Sequence, residues 1–277
     1  MRVGAWTVFL VLLLAAGGSA RPAEALRVVS LAPSVTETIF AVGAGESLVG
    51  VTDFCDWPPP ARAIARVGSY IRPNVEAIVA RGPDLVIAVP SPGNRDEVEA
   101  VERLGVRVLI VSEGPALDDV YGSIGTIADA VGRREAGEDL VARMRASVAG
   151  LRSRLGGAER KTVLFVVDRS PLVVAGDGTL IDDLVRLAGG RNAARGLGPW
   201  PRLSLEYVVR LSPEIILDGA MRPDEERDVG FYEGLGLRAV REGKVHATRI
   251  DEIMRPGPRV TEGLERLARQ IHPEAFR

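Results

Sequence analysis

Two glutamates occupy equivalent positions in two copies of one sequence pattern. Glu76 lies in residues 74–87, NVEAIVARGPDLVI, and Glu206 lies in residues 204–217, SLEYVVRLSPEIIL; the copies align without a gap. Each copy predicts a capped helix, a proline turn and an apolar strand, with its glutamate in the first helical turn. Such a carboxylate either interacts favourably with the helix dipole or docks an arginine of a partner. The residues alone leave both roles open.

The same repeat predicts the organisation of the chain. Val79 matches Val209 and Pro83 matches Pro213, in addition to the glutamates. A duplicated helix–turn–strand unit implies two lobes of related build, each presenting one carboxylate. A ligand site would then lie between the lobes.

Aromatic side chains fall in the predicted loops. Phe54 and Trp57 share one loop, Tyr70 lies in a second and Trp200 in a third, although aromatic residues make up only 5% of the chain. Open α/β sheets bind ligands at the carboxyl ends of their strands, where aromatic faces suit a large, partly flat ligand. The alternative is that each ring packs against its own lobe.

Motifs for catalysis are missing from the sequence. It contains no G-x-S-x-G elbow, Walker loop, G-x-G-x-x-G fingerprint or H-E-x-x-H pair. Cys55 is the single cysteine, and with His246 and His272 it does not supply a soft-metal cluster. We therefore expect no enzyme, no catalytic residue and no metal site. An exported enzyme with Asp168 or Asp251 as general acid–base is the alternative from another class.

Residues 1–25 predict a secretory signal peptide. Arg2 is a basic start, Ala5–Ala16 is an apolar run too short for a membrane span, and Ala23–Ala25 fits a cleavage site. An uncleaved anchor is the alternative. No cysteine follows the apolar run, so a lipid anchor is not expected, and the mature protein is predicted to be periplasmic. The net charge of −2, without basic runs among aromatics, indicates neither nucleic acid nor an anionic membrane as partner.

Alternating strand and helix patterns predict two Rossmann-like α/β lobes, residues 26–132 and 158–277, joined by a single long helix over 133–157. Apolar residues recur there at helical spacing: Leu140, Met144, Val148, Leu151 and Leu155. A helical linker limits lobe movement, so the cleft should be largely preformed. The alternative is an ordinary long helix within one domain. Ser34 and Glu37 have capping-box spacing at the start of the first helix.

Four sets of motifs, taken in order, resemble the class III (helical-backbone) periplasmic substrate-binding proteins. They are Leu31–Glu37, Cys55–Pro59, Asn74–Val79 with Pro83–Val86, and Pro199–Pro201 with Ser204–Glu206. The similarity covers nearly all of residues 27–272 and is greatest to the vitamin B12-binding members of the family.

This resemblance implies a monomer that captures cobalamin or a related corrinoid and delivers it to an inner-membrane ABC permease dimer. The corrinoid is then transported ligand, and no cofactor is implied. Glu76 and Glu206 match the family's glutamates that dock onto permease arginines. The positions that match the family's ligand-binding residues are Pro33, Phe54, Tyr70, Trp200, Asp251 and Arg255.

Three aromatic positions depart from those of the B12-binding members. Phe54 replaces tyrosine, Tyr70 replaces tryptophan, and a second-lobe aromatic falls near Val173. The departures leave another corrinoid, a ferric siderophore or haem as alternative ligands. For an anionic ligand, the cationic wall would come from Arg169, Arg202, Arg222 and Arg255.

Overall fold

The computed structural model describes residues 26–91, 93–220 and 229–277. The predicted signal peptide, residues 1–25, lies outside these ranges, as does Arg222. Among the described residues, no helix is both long and apolar enough to cross a membrane.

The first lobe is built on a four-stranded parallel sheet in the order β2-β1-β3-β4. Its strands are β1 (Val28–Ser30), β2 (Leu48–Val51), β3 (Leu85–Ala88) and β4 (Val108–Ile110). Its helices are α1 (Pro33–Ala41), α2 (Val75–Val79), α3 (Arg95–Arg103) and α4 (Leu117–Ala130). The strands are almost wholly apolar and β1 and β3 are fully buried, as expected for a parallel sheet covered on both faces.

A single helix, α5 (Arg134–Leu155), connects the lobes. Its 22 residues span about 33 Å at the usual rise of 1.5 Å per residue. It packs along α4, and its buried Met144, Leu151 and Leu155 face the second lobe. The predicted helical connection is therefore confirmed.

The second lobe has a five-stranded sheet in which β5 (Lys161–Arg169) and β8 (Ile215–Asp218) are central. The remaining strands are β6 (Leu172–Val174), β7 (Gly190–Asn192) and β9 (Val245–Ala247), of which β6 alone runs antiparallel to its neighbour in the described sheet. The helices are α6 (Leu180–Leu187), α7 (Leu205–Leu211), α8 (Arg238–Arg241), α9 (Asp251–Met254) and α10 (Val260–Ile271). The short elements β7 and α9 were not predicted.

The sequence repeat folds into equivalent structures, α2–β3 and α7–β8. Each helix is capped by its preceding side chain: Asn74 Oδ1 accepts from the Ala77 amide (2.9 Å), and Ser204 Oγ accepts from the Tyr207 amide (3.3 Å). Three residues after each glutamate, the helix has an exposed valine: Val79 follows Glu76, and Val209 follows Glu206.

A second pair of carboxylates ties each copy to the neighbouring strand. Asp84 Oδ2 accepts from the Arg27 amide before β1 (2.8 Å), and Glu214 Oε2 accepts from the Thr162 amide in β5 (2.7 Å). A backbone hydrogen bond returns in each lobe: the Asp84 amide donates to the Arg27 carbonyl, and the Glu214 amide donates to the Thr162 carbonyl, each at 2.9 Å. The repeat is therefore structural as well as sequential.

Apolar packing is continuous between the lobes. Leu117, Val120 and Ile124 of α4 lie in the same buried cluster as the second-lobe helices α6 and α10. Farther along α4, Ile127 and Ala128 pack instead into the core of the first lobe. Helix α4 thus contributes to both cores.

The capping box predicted at the start of α1 is wrong. Ala32 occupies the N-cap position, and no side chain caps the helix. Ser34 instead donates to Glu113, and the buried Glu37 accepts from Arg259 of the second lobe. Tertiary partners have replaced the local contact that the spacing suggested.

Candidate ligand-binding cleft

A cleft of about 740 Å³ lies between the lobes. Three first-lobe lining residues, Pro33, Phe54 and Glu113, each follow the last residue of a parallel strand by three positions. The second lobe contributes the start of α6, the Trp200 loop and the segment around α9. Because parallel strands end at one edge of a sheet, these loops converge on one space.

All six predicted ligand-binding residues line this cleft: Pro33, Phe54, Tyr70, Trp200, Asp251 and Arg255. Phe54 and Trp200 expose 56% and 47% of their surface, which leaves their rings available to a ligand. Tyr70 is partly buried. Trp57 is not among the lining residues, and the Arg259 guanidinium lies over its ring at 4.9 Å.

The cation in the cleft wall already has anionic partners. Arg255 Nη1 donates to Asp56 Oδ1 of the first lobe (2.6 Å), and Arg255 Nη2 lies 3.2 Å from Asp251 Oδ1. Asp251 remains largely exposed, at 63% of its side chain. Arg255 therefore joins the two lobes in addition to lining the cleft.

A second ion pair between the lobes is bidentate. Arg259 Nε and Nη2 donate to the two carboxylate oxygens of Glu37, at 2.8 and 2.6 Å. The Glu37 side chain is 2% exposed and that of Arg259 is 16% exposed. Paired geometry of this kind compensates much of the cost of removing both charges from water.

Asp56 makes stability weakly dependent on acid pH. Partial burial opposes its ionisation, but the hydrogen bond and charge of Arg255 outweigh burial and lower the pKa of Asp56 below its ordinary 3.8. The contribution is thus fully present above pH 3.8 and lost as the pH falls through the folded-state pKa. Because Asp56 is half exposed, we expect Asp56→Asn to cost less than about 1 kcal/mol near neutral pH.

Thermal melts of wild type and Asp56→Asn across acid pH measure this effect. The difference in melting temperature should shrink below pH 3.8. Asp168→Asn, at an exposed aspartate outside the cleft lining, is the control. A constant difference at all pH values would contradict the assignment.

The sequence interpretation did not identify several cleft residues, notably Glu113, Ile71 and Met254. Glu113 follows β4 at the same distance at which Phe54 follows β2. That position relative to the strand was a signal that could have identified it. Burial raises the pKa of Glu113, and the hydrogen bond from Ser34 Oγ (2.5 Å) only partly opposes the shift.

The alternative cationic wall is not assembled in the described structure. Arg169 donates to the buried Asp218 (2.9 Å), and 17% of its side chain is exposed. Neither Arg169 nor Arg202 is among the lining residues, and Val173 is also absent from the lining. Within the described ranges, no group of three His, Cys, Asp or Glu side chains could hold a metal ion.

Glu76 and Glu206 lie outside the cleft lining, one on each lobe. Both are exposed, and neither forms an ion pair within the described part of the chain. Hydrogen bonds from Ser204 and from its own backbone amide lower the pKa of Glu206. It therefore presents a charged carboxylate at neutral pH.

Two lobes with a cleft between them are the architecture of a protein that binds a solute. The sequence matches the periplasmic binding protein family over residues 28–251, and the chain belongs to this family. It is accordingly an extracytoplasmic solute-binding component of an ABC importer and not an enzyme.

Relatives support the family and differ in ligand. An ABC transporter substrate-binding lipoprotein of Bacillus subtilis, YvrC, is 30% identical, covering 92% of this chain and 82% of its own length. A vitamin B12-binding protein of Vibrio cholerae is 27% identical over 90% of both chains. The solved haem-binding protein RhuT of Roseiflexus sp. RS-1 is 28% identical, with a TM-score of 0.81 over 91% of this chain and 100% of its own.

Proposed function

We propose that the chain captures cobalamin or a related corrinoid in the cleft and delivers it to an ABC permease dimer. The observation that carries the proposal is that aromatic rings from both lobes, Phe54 and Tyr70 on one side and Trp200 on the other, line a single space. A corrin ring offers apolar faces to such rings and amide groups at its rim to polar side chains.

The charges of the cleft favour a corrinoid over an anionic ligand. Of the described ionisable lining residues, Glu113 and Asp251 are acidic, and Arg255 is engaged with Asp56 and Asp251. An anionic siderophore or the propionates of haem would meet a wall without an unpaired cation among these residues. The uncharged amides of a corrin ring meet no such penalty.

Haem is the second candidate, because the cleft contains two side chains of the types that bind haem iron. These are the Tyr70 hydroxyl and the Met254 thioether. However, burial and then the nearby Glu113 carboxylate raise the pKa of Tyr70, which disfavours the phenolate form that binds ferric iron. Together with the charges of the cleft lining, this makes haem the second candidate in the proposal.

Calorimetric titration with cyanocobalamin, cobinamide, haemin and a ferric siderophore tests the ligand assignment. We expect a corrinoid to bind most tightly and to be recovered unchanged. Trp200→Ala should weaken corrinoid binding about tenfold or more, because a large ring contact costs at least about 1.4 kcal/mol when truncated.

Trp57→Ala is the matched control, since Trp57 is similarly exposed but lies outside the cleft lining. It should leave corrinoid affinity unchanged. Tighter binding of the siderophore or haemin by wild type would overturn the corrinoid assignment. Chemical conversion of the bound compound would instead favour the enzyme alternative.

We further propose that the matched helices α2 and α7 contact the two permease subunits. Supporting this, Glu76 and Glu206 lie one turn before the exposed valines Val79 and Val209, which expose 38% and 40% of their surface. Each lobe thus presents one carboxylate beside one apolar side chain on the same helix face. A partner with one basic group and one apolar recess per subunit would complement both surfaces.

The extracytoplasmic location of the chain follows from its family, whereas its route of export stays a prediction. We propose that residues 1–25 are removed as a signal peptide and that the mature chain carries no lipid. The Bacillus subtilis relative is a lipoprotein. The lobe limits at 26–132, 133–157 and 158–277, and the monomeric state, are likewise proposed.

A further inference from the structure

Glu113 stands in the cleft wall with one side-chain partner. It lies three residues beyond β4, beside the cleft-lining Gly114 and Pro115. Ser34 Oγ, at the start of α1, donates to its Oε1 at 2.5 Å. The second carboxylate oxygen, Oε2, is left without a donor among the described residues.

The buried glutamates of the described structure are paired with arginines, whereas Glu113 is partly buried. Glu37 accepts two hydrogen bonds from Arg259, and Glu252 accepts from Nε and Nη2 of Arg266. Glu113 forms no ion pair with any described Lys, Arg or His. A carboxylate that is partly removed from water without a cation is costly, so a donor arriving with the ligand would relieve that cost.

The surroundings of Glu113 restrict what that donor can be. The cleft lining also includes the apolar Ala32 and Pro33, which precede Ser34, the hydrogen-bond partner of Glu113. A ligand carboxylate placed here would face a like charge at short range. A ligand N–H would form a charge-assisted hydrogen bond, which is stronger than one between neutral groups.

We infer that Glu113 is an acceptor subsite that selects ligands carrying amide or ammonium N–H groups and rejects ligands carrying carboxylates at that point. The inference rests on the proposed function, since it assumes that the cleft binds a tetrapyrrole-type ring. It extends that function by assigning to one residue the choice between ligands that carry amides and ligands that carry carboxylates at the edge of the ring. Tyr70 and Glu113 both line the cleft. The side chain of Tyr70 packs against the ligand ring, while Glu113 accepts hydrogen bonds from groups at the edge of that ring.

Two corrinoids that differ in their rim provide the test. Dicyanocobinamide carries side-chain amides, whereas dicyanocobyrinic acid carries carboxylates on the same ring. We expect wild type to prefer the amide compound in calorimetry. Glu113→Gln should reduce that preference about tenfold or more, since a hydrogen bond to a charged group contributes about 1.5–3 kcal/mol.

Glu46→Gln is the control, because it removes the same charge from an exposed helical turn outside the cleft lining. It should leave the preference unchanged. Glu113→Asp keeps the charge and should keep the direction of the preference. Thermal melts of the variants establish that each is folded.

The outcomes separate the subsite from the proposed function. If wild type binds the corrinoids and Glu113→Gln leaves the amide preference intact, the subsite is overturned and the corrinoid assignment stands. If wild type binds haemin and neither corrinoid, the assignment fails. Haemin and its propionamide derivative then repeat the comparison, and an unchanged preference in Glu113→Gln would again overturn the subsite. Binding of no tetrapyrrole would overturn both.

Discussion

Replacing both Glu76 and Glu206 with lysine is expected to abolish corrinoid uptake while leaving the ligand affinity of the purified protein unchanged. Both side chains are exposed and lie outside the cleft lining, so charge reversal should not disturb the ligand. At the proposed permease contact, each reversal replaces attraction by repulsion, and like charges that face each other across an interface suppress association.

Uptake by vesicles containing the permease measures the first quantity, and calorimetry with cyanocobalamin measures the second. Each single reversal should impair uptake less than the double variant, because one lobe retains its contact. The control is Glu102→Lys with Glu138→Lys, which makes the same change in net charge at exposed positions elsewhere. Normal uptake by the double variant, or a loss of ligand affinity, would refute the docking role.

Removing one partner of the pair between Glu37 and Arg259 is expected to destabilise the protein strongly. In Arg259→Met, the buried Glu37 carboxylate would keep one cation among the described residues, Arg255 at 3.6 Å. Breaking a buried pair from one side costs about 3–5 kcal/mol, so a loss near the lower end is expected. Replacing both, as Glu37→Leu with Arg259→Met, should restore much of the stability because no unpaired charge remains.

Equilibrium unfolding in urea measures these free energies. Arg95→Met is the comparison, because Arg95 pairs with Glu99 at 2.8 Å while both side chains are exposed, at 81% and 46%. That substitution should leave the urea midpoint close to that of the wild type, because ion pairs exposed to water contribute little to stability. An equally small loss in Arg259→Met would show that the pair between the lobes does not hold them together.

Local patterns predicted the elements that depend on local chemistry. The repeat predicted two capped helices, and both form as α2 and α7 with caps from Asn74 and Ser204. The apolar spacing over 133–157 predicted α5, which forms over Arg134–Leu155. Strand β7 was not predicted, because its three residues, Gly190–Asn192, are too few to show the apolar pattern of a strand.

Residues whose roles depend on distant partners were harder to interpret. Glu37 had the spacing of a helix cap, yet its partner Arg259 lies 222 positions away. Trp57 was grouped with the cleft aromatics because of its loop, but it stacks with the same arginine. Resemblance to the family identified the six cleft positions, which local patterns alone did not separate from other loop residues.

Helix α4 packs into the cores of both lobes, and this affects how the protein unfolds. Cutting the chain at Gly132 would leave Leu117, Val120 and Ile124 without the second-lobe side chains that cover them. Each such side chain contributes about 1.5–3 kcal/mol when fully buried. We therefore expect that neither half folds on its own and that the whole molecule unfolds in one cooperative transition.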